Sequence, residues 1–175
     1  MTPDYGKIRE INPDIIFTSD ELQDEIRVEL ENMGFNVKHS SPNRLNDLFD
    51  LVDEIGSEVD AQDEATKLNR QLIARVNRVE EYVEDKNRPV VYAEEWDSPP
   101  MAAGNWVPDM IDAAGGTYPF VSPGERSTTV SKDEYEKYDP DVFLSHICGC
   151  GEMSSFREFR DEWSLPNRVY FVDDN

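Results

Sequence analysis

From Ala61 to Lys86 the chain carries neither proline nor glycine, and Ala65, Leu68, Leu72, Val76, Val79 and Val83 recur every three or four residues. That period lines them along one face of an α-helix. At about 1.5 Å per residue the helix is roughly 39 Å long, the span of a small domain. It lies between two segments that mix strand and helix patterns, which suits an interdomain strut better than a layer of one lobe. A helix hairpin is the other arrangement open to it. The chain is therefore read as an α/β lobe over 1–60, a joining helix over 61–88 and a second α/β lobe over 89–175.

The flanking segments repeat one plan. Asp14-Ile15-Ile16-Phe17-Thr18 is a short apolar run after Asn12-Pro13 and reads as a buried parallel strand. Glu21 to Met33 is spaced as a helix ended by Gly34, and Phe35 to Lys38 is the next strand, completing a minimal β-α-β unit. A helix opened by Asn43 carries Leu45, Leu48, Phe49, Val52 and Ile55, with Gly56 as its stop. After Arg88-Pro89 come a strand over Val90 to Ala93, a loop and a helix from Trp106 to Ala114 closed by Gly115-Gly116. Tyr118 to Val121 reads as a short strand or turn. Ser131 caps a further helix, Met153 to Trp163 is another, and Arg168 to Val172 is a last strand. Asp139-Pro140-Asp141-Val142-Phe143-Leu144 echoes Asn12-Pro13-Asp14-Ile15-Ile16-Phe17: a helix, X-Pro-Asp, then a buried strand. The echo predicts two similar Rossmann-like lobes. The first has only two strands, thin for an independent core, and is expected to be incomplete.

Charge narrows the partners. There are 38 Asp and Glu against 17 Lys and Arg, a formal net charge of −21. Such a surface repels phosphate backbones and anionic lipid, so nucleic acid is excluded as a partner. The acid is dispersed along the chain, as suits a surface solvated in high salt, and the chain is read as halophilic. An ordinary acidic protein is the other reading. No signal-peptide pattern, lipidation motif or apolar run of about 18 residues occurs, so the chain reads as soluble.

The loops carry the functional signal. Glu94 to Trp106, EEWDSPPMAAGNW, follows a strand, and ligands of open α/β sheets bind at the carboxyl ends of strands. Pro99-Pro100 stiffens the loop, so aromatics held there lose little entropy on binding. Trp96 and Trp106 each offer a flat apolar face and one N–H donor. For Trp106, at a helix start, packing the lobe is an equal reading. Glu94 and Glu95 are adjacent, so alternation sends them to opposite faces and speaks against a paired-carboxylate glycosidase. His146-Ile147-Cys148-Gly149-Cys150-Gly151 follows another strand end. It offers soft-metal donors, but at tighter spacing than the common Cys-x2-Cys site and with no second pair. A small-residue turn at the cleft edge, with His146 touching ligand, is the reading adopted. Arg126, in Pro123-Gly124-Glu125-Arg126-Ser127, either meets an anionic ligand edge or pairs with a neighbouring acid. No nucleophile elbow, phosphate loop or dinucleotide fingerprint is present, and no catalytic residue is assigned.

The run Glu95 to Pro108 followed by Ala113-Ala114-Gly115-Gly116, with Pro123 to Ser127, Asp139-Pro140-Asp141-Val142 and Cys148-Gly149, resembles the cobalamin-binding branch of the periplasmic-binding-protein-like family. These are substrate-binding components of cobalamin and iron-siderophore ABC importers. The resemblance implies two lobes joined by a rigid helix, with the N-terminal lobe and the last C-terminal helix cut short. It also implies an extracytoplasmic location and a corrinoid ligand in the cleft between lobes. Trp96, Met101, Trp106, Arg126 and His146 are then the C-lobe ligand contacts, and Ser19 and Asp20, at the first strand's end, the N-lobe ones. Asp133 falls near the position at which the family meets its membrane permease. The ligand is handed on without chemistry, so no enzyme activity is implied. A ferric siderophore or haem is the alternative ligand. A metal-dependent or redox protein using His146, Cys148 and Cys150 is the alternative of another class.

Overall fold

The computed structural model describes residues 3–147 and 163–172. Cys148 and Cys150 lie outside the described residues, as does the helix expected from Met153, apart from its last residue, Trp163. The chain divides into two compact units, Met1–Pro42 and Asn43–Asn175. Both are α/β.

Unit 1 is the β-α-β element that the sequence predicts. Helix α1 (Tyr5–Ile11) is capped by Asp4, whose carboxylate accepts from the Lys7 N–H at 3.0 Å. Strands β1 (Ile16–Ser19) and β2 (Val37–Ser40) pair in parallel, Ile16 opposite Val37 and Thr18 opposite His39. A 3-10 turn, Glu21–Gln23, and helix α2 (Asp24–Asn32) cross between them. Leu30 is the one fully buried hydrophobic residue of this unit's described residues, and Phe17 and Val28 stay exposed. Thr18 and His39 lie side by side in the ladder, Thr18 Oγ1 to His39 Nδ1 at 2.9 Å.

Unit 2 opens with a helix hairpin, α3 (Leu45–Glu58) and α4 (Gln62–Val83). The long helix is there, at 22 residues or roughly 33 Å. Gly56 does not stop α3, as its place after the apolar run predicts; it lies buried inside the helix. A Cβ on Gly56 would sit 2.4 Å from the Ala65 Cβ, so the bare backbone lets α4 approach. The face of α4 follows the predicted one at Ala65, Leu72, Val76 and Val83 and departs from it at two positions. Ala65 and Asn69 are buried while Leu68 and Val79 are 44% and 43% exposed. The Asn69 amide donates to the Phe49 carbonyl at 2.8 Å, which turns that side of α4 towards α3. This packing groups α3 with unit 2, whereas the sequence pattern divides the chain at residue 60.

The sheet of unit 2 runs in the order β5-β4-β3-β6-β7. Strand β3 (Val91–Asp97) is central. It pairs in parallel with β6 (Val142–Ser145), which pairs in parallel with β7 (Arg168–Phe171). On its other side β4 (Pro100–Ala102) and β5 (Thr128–Thr129) are antiparallel. Side chains alternate across the sheet as the period of two requires. Tyr92 and Phe143 enter an aromatic core with Phe120, Val130 and Tyr135, the Tyr92 ring meeting Phe120 edge-on at 4.9 Å. Val91 and Ala93 face Ile111 of α5 (Val107–Ala113). Helix α6 (Lys132–Tyr138) is capped by Ser131, whose Oγ accepts from the Glu134 N–H. The sequence echo has a geometric counterpart: Asn12 after α1 and Asp139 after α6 are both left-handed C-caps, at φ 48° and 44°. A short polar residue tolerates that conformation, and the proline one residue on cannot continue the helix.

Candidate functional site

The stretch read as a proline-rich loop is a β-hairpin. Strand β3 continues through Trp96 and Asp97, turns at Ser98-Pro99, which are joined by a cis peptide bond, and returns as β4. Pairing runs Glu94 to Ala102 and Trp96 to Met101, so Glu95 is an extra residue, a β-bulge. The bulge breaks the alternation. Glu94 goes fully inside at 0% exposure, Glu95 is half-buried, and Trp96 is 48% exposed across from Met101. The Trp96 Nε1–H donates to the Ser98 carbonyl at 2.9 Å. The polar edge of that indole is therefore engaged within its own hairpin, and what it presents outward is apolar ring.

Glu95 joins the pieces that the sequence keeps apart. Its Oε2 accepts from the Ser127 hydroxyl at 2.7 Å, and Ser127 Oγ accepts from the Gly104 N–H at 3.0 Å. The Asn105 N–H donates to the Glu125 carbonyl and the Gly124 N–H to the Asn105 carbonyl. Gly104 is required here. A Cβ on it would lie 2.3 Å from the Ser127 nitrogen. Segments 104–106 and 122–127 are thus laced together, with half-buried Trp106 at the N-cap of α5 and Arg126 exposed. His146 follows β6, and its N–H donates to the Glu94 carbonyl at 3.0 Å. Its ring is half-buried with Nε2 enclosed and without a partner among the described residues. Burial holds its pKa below the ordinary histidine value, and the Glu95 charge opposes that shift. Beneath, the Tyr118 hydroxyl lies 2.9 Å from the Ala103 carbonyl and 3.3 Å from that of Ala93. Burial, then Glu95, raises its pKa well above the phenol range.

Trp96, Met101, Trp106, Arg126 and His146 accordingly all stand on the carboxyl-end side of one sheet. Ser19 and Asp20 belong to unit 1. Ser19 ends β1 and its N–H donates to Gln23 Oε1, while Asp20, at φ 67°, accepts from the Leu22 N–H. Asp133 is exposed in the first turn of α6. Among the described residues no group of three or more His, Cys, Asp and Glu side chains is placed to hold a metal ion, and no helix is long and apolar enough to cross a membrane. Sequence reasoning passes over Glu95 and Ser127. Strand alternation speaks only against Glu95 pairing with Glu94, and the contact with Ser127 comes from the bulge.

Solved structures share this fold. An ABC transporter substrate-binding protein from Listeria monocytogenes EGD-e matches with a TM-score of 0.83 at 20% identity, over 99% of this chain and 72% of that one. IsdE of S. aureus, solved with heme, matches at 0.81 and 16%, over 98% and 72%. The periplasmic vitamin B12 binding protein BtuF of Vibrio cholerae matches at 0.70 and 17%, over 98% and 69%. No curated protein matches the sequence. The Periplasmic binding protein family matches residues 1–163, and the chain belongs to that family, whose members bind solutes rather than catalyse reactions.

Proposed function

We propose that this protein is the solute-binding component of an ABC importer, and that its ligand is cobalamin or a related corrinoid. The ligand rests against the loops at the carboxyl ends of β3 and β6 and passes to a membrane permease outside the cytoplasm. The observation that carries the reading is the Trp96–Met101 pair. It is an apolar, aromatic edge held out on a hairpin whose own hydrogen bond occupies the indole N–H. A broad, partly apolar ring system is the ligand that such a face suits. Trp106 and Arg126 flank it, Arg126 meeting amide or anionic groups at the ligand's rim. Asp133 is the proposed contact to the permease.

A haem or ferric siderophore is the second reading. His146 favours it, because its Nε2 has no hydrogen-bond partner among the described residues and imidazole is a donor that ligates chelated iron. Titrating the protein with cyanocobalamin, haemin and a ferric hydroxamate, followed by tryptophan fluorescence and calorimetry, separates the two. Quenching and heat with cyanocobalamin are expected. A response to haemin alone, with a shift of its absorption band lost in His146→Ala, establishes the second reading instead. No response to any corrinoid sinks the first.

A further inference from the structure

Arg44 stands where three parts of unit 2 meet. Its guanidinium grips Asp109 of α5 with two bonds, Nε to Oδ2 at 2.8 Å and Nη2 to Oδ1 at 2.7 Å. Asp109 also accepts from the Leu45 N–H at 2.9 Å, so one carboxylate ties the start of α3 to the first turn of α5. The cap of that α5 turn is Trp106. Asp47 accepts from the N–H groups of Asn43 and Arg44 at 2.8 and 2.7 Å, which fixes the backbone that Arg44 projects from.

The stem of the same side chain lies over Gly124. Gly124 sits at φ +85°, which favours glycine, and a Cβ there would come within 2.9 Å of Arg44 Cδ and displace the arginine stem. Gly124 is the tip of segment 122–127, bonded to Asn105 and continuing into Arg126 and the Ser127–Glu95 hydrogen bond. The head of Arg44 thus holds the helix that begins at Trp106, and its stem holds the loop that carries Arg126.

We propose that Arg44 is a positioning residue for the ligand face, setting segments 104–106 and 122–127 in place before ligand arrives. The ligand part of this rests on the binding reading above. A loop ordered in advance does not spend binding free energy on its own ordering. The planar fork of arginine is what permits the two-pronged grip, and lysine cannot reproduce it. The pair is largely solvent-facing on the Arg44 side, at 52% side-chain exposure. Asp109 is the more buried partner, at 17%, but keeps its bond from the Leu45 N–H when Arg44 is replaced, so the effect on global stability is modest and positioning is read apart from folding.

The test uses the whole chain and the variants Arg44→Ala, Arg44→Lys and Gly124→Ala. Hydrogen exchange is read at the Gly104, Asn105 and Gly124 amides, and cyanocobalamin affinity by fluorescence titration. In Arg44→Ala those three amides should exchange about tenfold faster or more, with Tm lowered by no more than about 4 °C. Cyanocobalamin Kd should rise about tenfold, and Arg44→Lys should fall between. Gly124→Ala should reproduce the loop effect with Arg44 present. Unchanged exchange at the three amides overturns the proposal. So does acceleration spread equally through β3 and β6, and so does faster exchange with an unaltered Kd. If the unmodified protein binds no cyanocobalamin, the ligand reading alone fails and the exchange data still decide whether Arg44 sets the loops.

Discussion

Trp96 and His146 show how one residue's setting changes what it offers. Trp96 presents a ring whose N–H is already bonded to Ser98, so in the proposed site it has area and stacking to offer. Trp96→Ala should weaken cyanocobalamin binding by about 1–3 kcal/mol, read by titration, while Trp96→Phe should keep most of the affinity. His146 has its pKa lowered, first by burial. As pH falls below about 6.5 the unfolded chain takes up a proton that the folded ring still refuses. Stability contributed by the neutral ring is therefore present above that pH and is lost on acidification, down to the folded-state pKa. His146→Gln should flatten the fall in urea midpoint between about pH 7 and pH 5. Asp109 has the same sign in a lower window. Its pKa is depressed, first by its hydrogen bonds from Arg44, so the Arg44 grip should persist down to the ordinary carboxylate range near pH 4 and open only below it.

Among elements, the α3/α4 hairpin makes the sharpest test. Alanine is the better helix former by about 1 kcal/mol, so propensity alone says Gly56→Ala should stabilise. The Cβ would instead meet Ala65 at 2.4 Å across the seam. Gly56→Ala should therefore destabilise by about 1–3 kcal/mol in urea unfolding, and a gain in stability would mean the hairpin packs differently. The same seam explains where the helix face departs from its period. Periodicity locates α4 well, because 3.6-residue spacing is a local property. It misjudges Leu68 and Val79 because the partner helix chooses the face, and buried Asn69 bonded to Phe49 sits on it. The β3/β4 hairpin is legible as strand, prolines and small residues, yet its sequence reads as a loop. Nothing in the one-letter order signals the bulge at Glu95, which exists only in the pairing with β4.

For the whole molecule, charge outweighs every other global property. A net −21 on 175 residues means strong self-repulsion at low ionic strength. Raising KCl from about 0.05 M to about 1 M should raise Tm through screening, and a Tm that is flat or falls with salt would speak against a salt-adapted surface. The cohesion that opposes this repulsion in unit 2 is aromatic and central. Tyr92 packs against Phe120, Tyr135 and Phe143 at 4.9 to 5.2 Å. Unit 1 has a far smaller buried set, with Leu30 fully inside.

Local order is enough to place most of the strands, the helix, X-Pro-Asp, strand echo around Asn12 and Asp139 and the long helix. Spacing, proline and capping residues act within a few positions of one another. It is also enough to pick out the Trp96 hairpin and the Gly124 loop as functional candidates. What only the tertiary structure decided is how they are joined. Arg44 and Asp109 stand 65 positions apart, and Ser127 and Glu95 stand 32 apart. Single charged or polar residues at such separations carry no pattern, and their pairing follows from the packing of α3 on α5 and from one extra residue in β3.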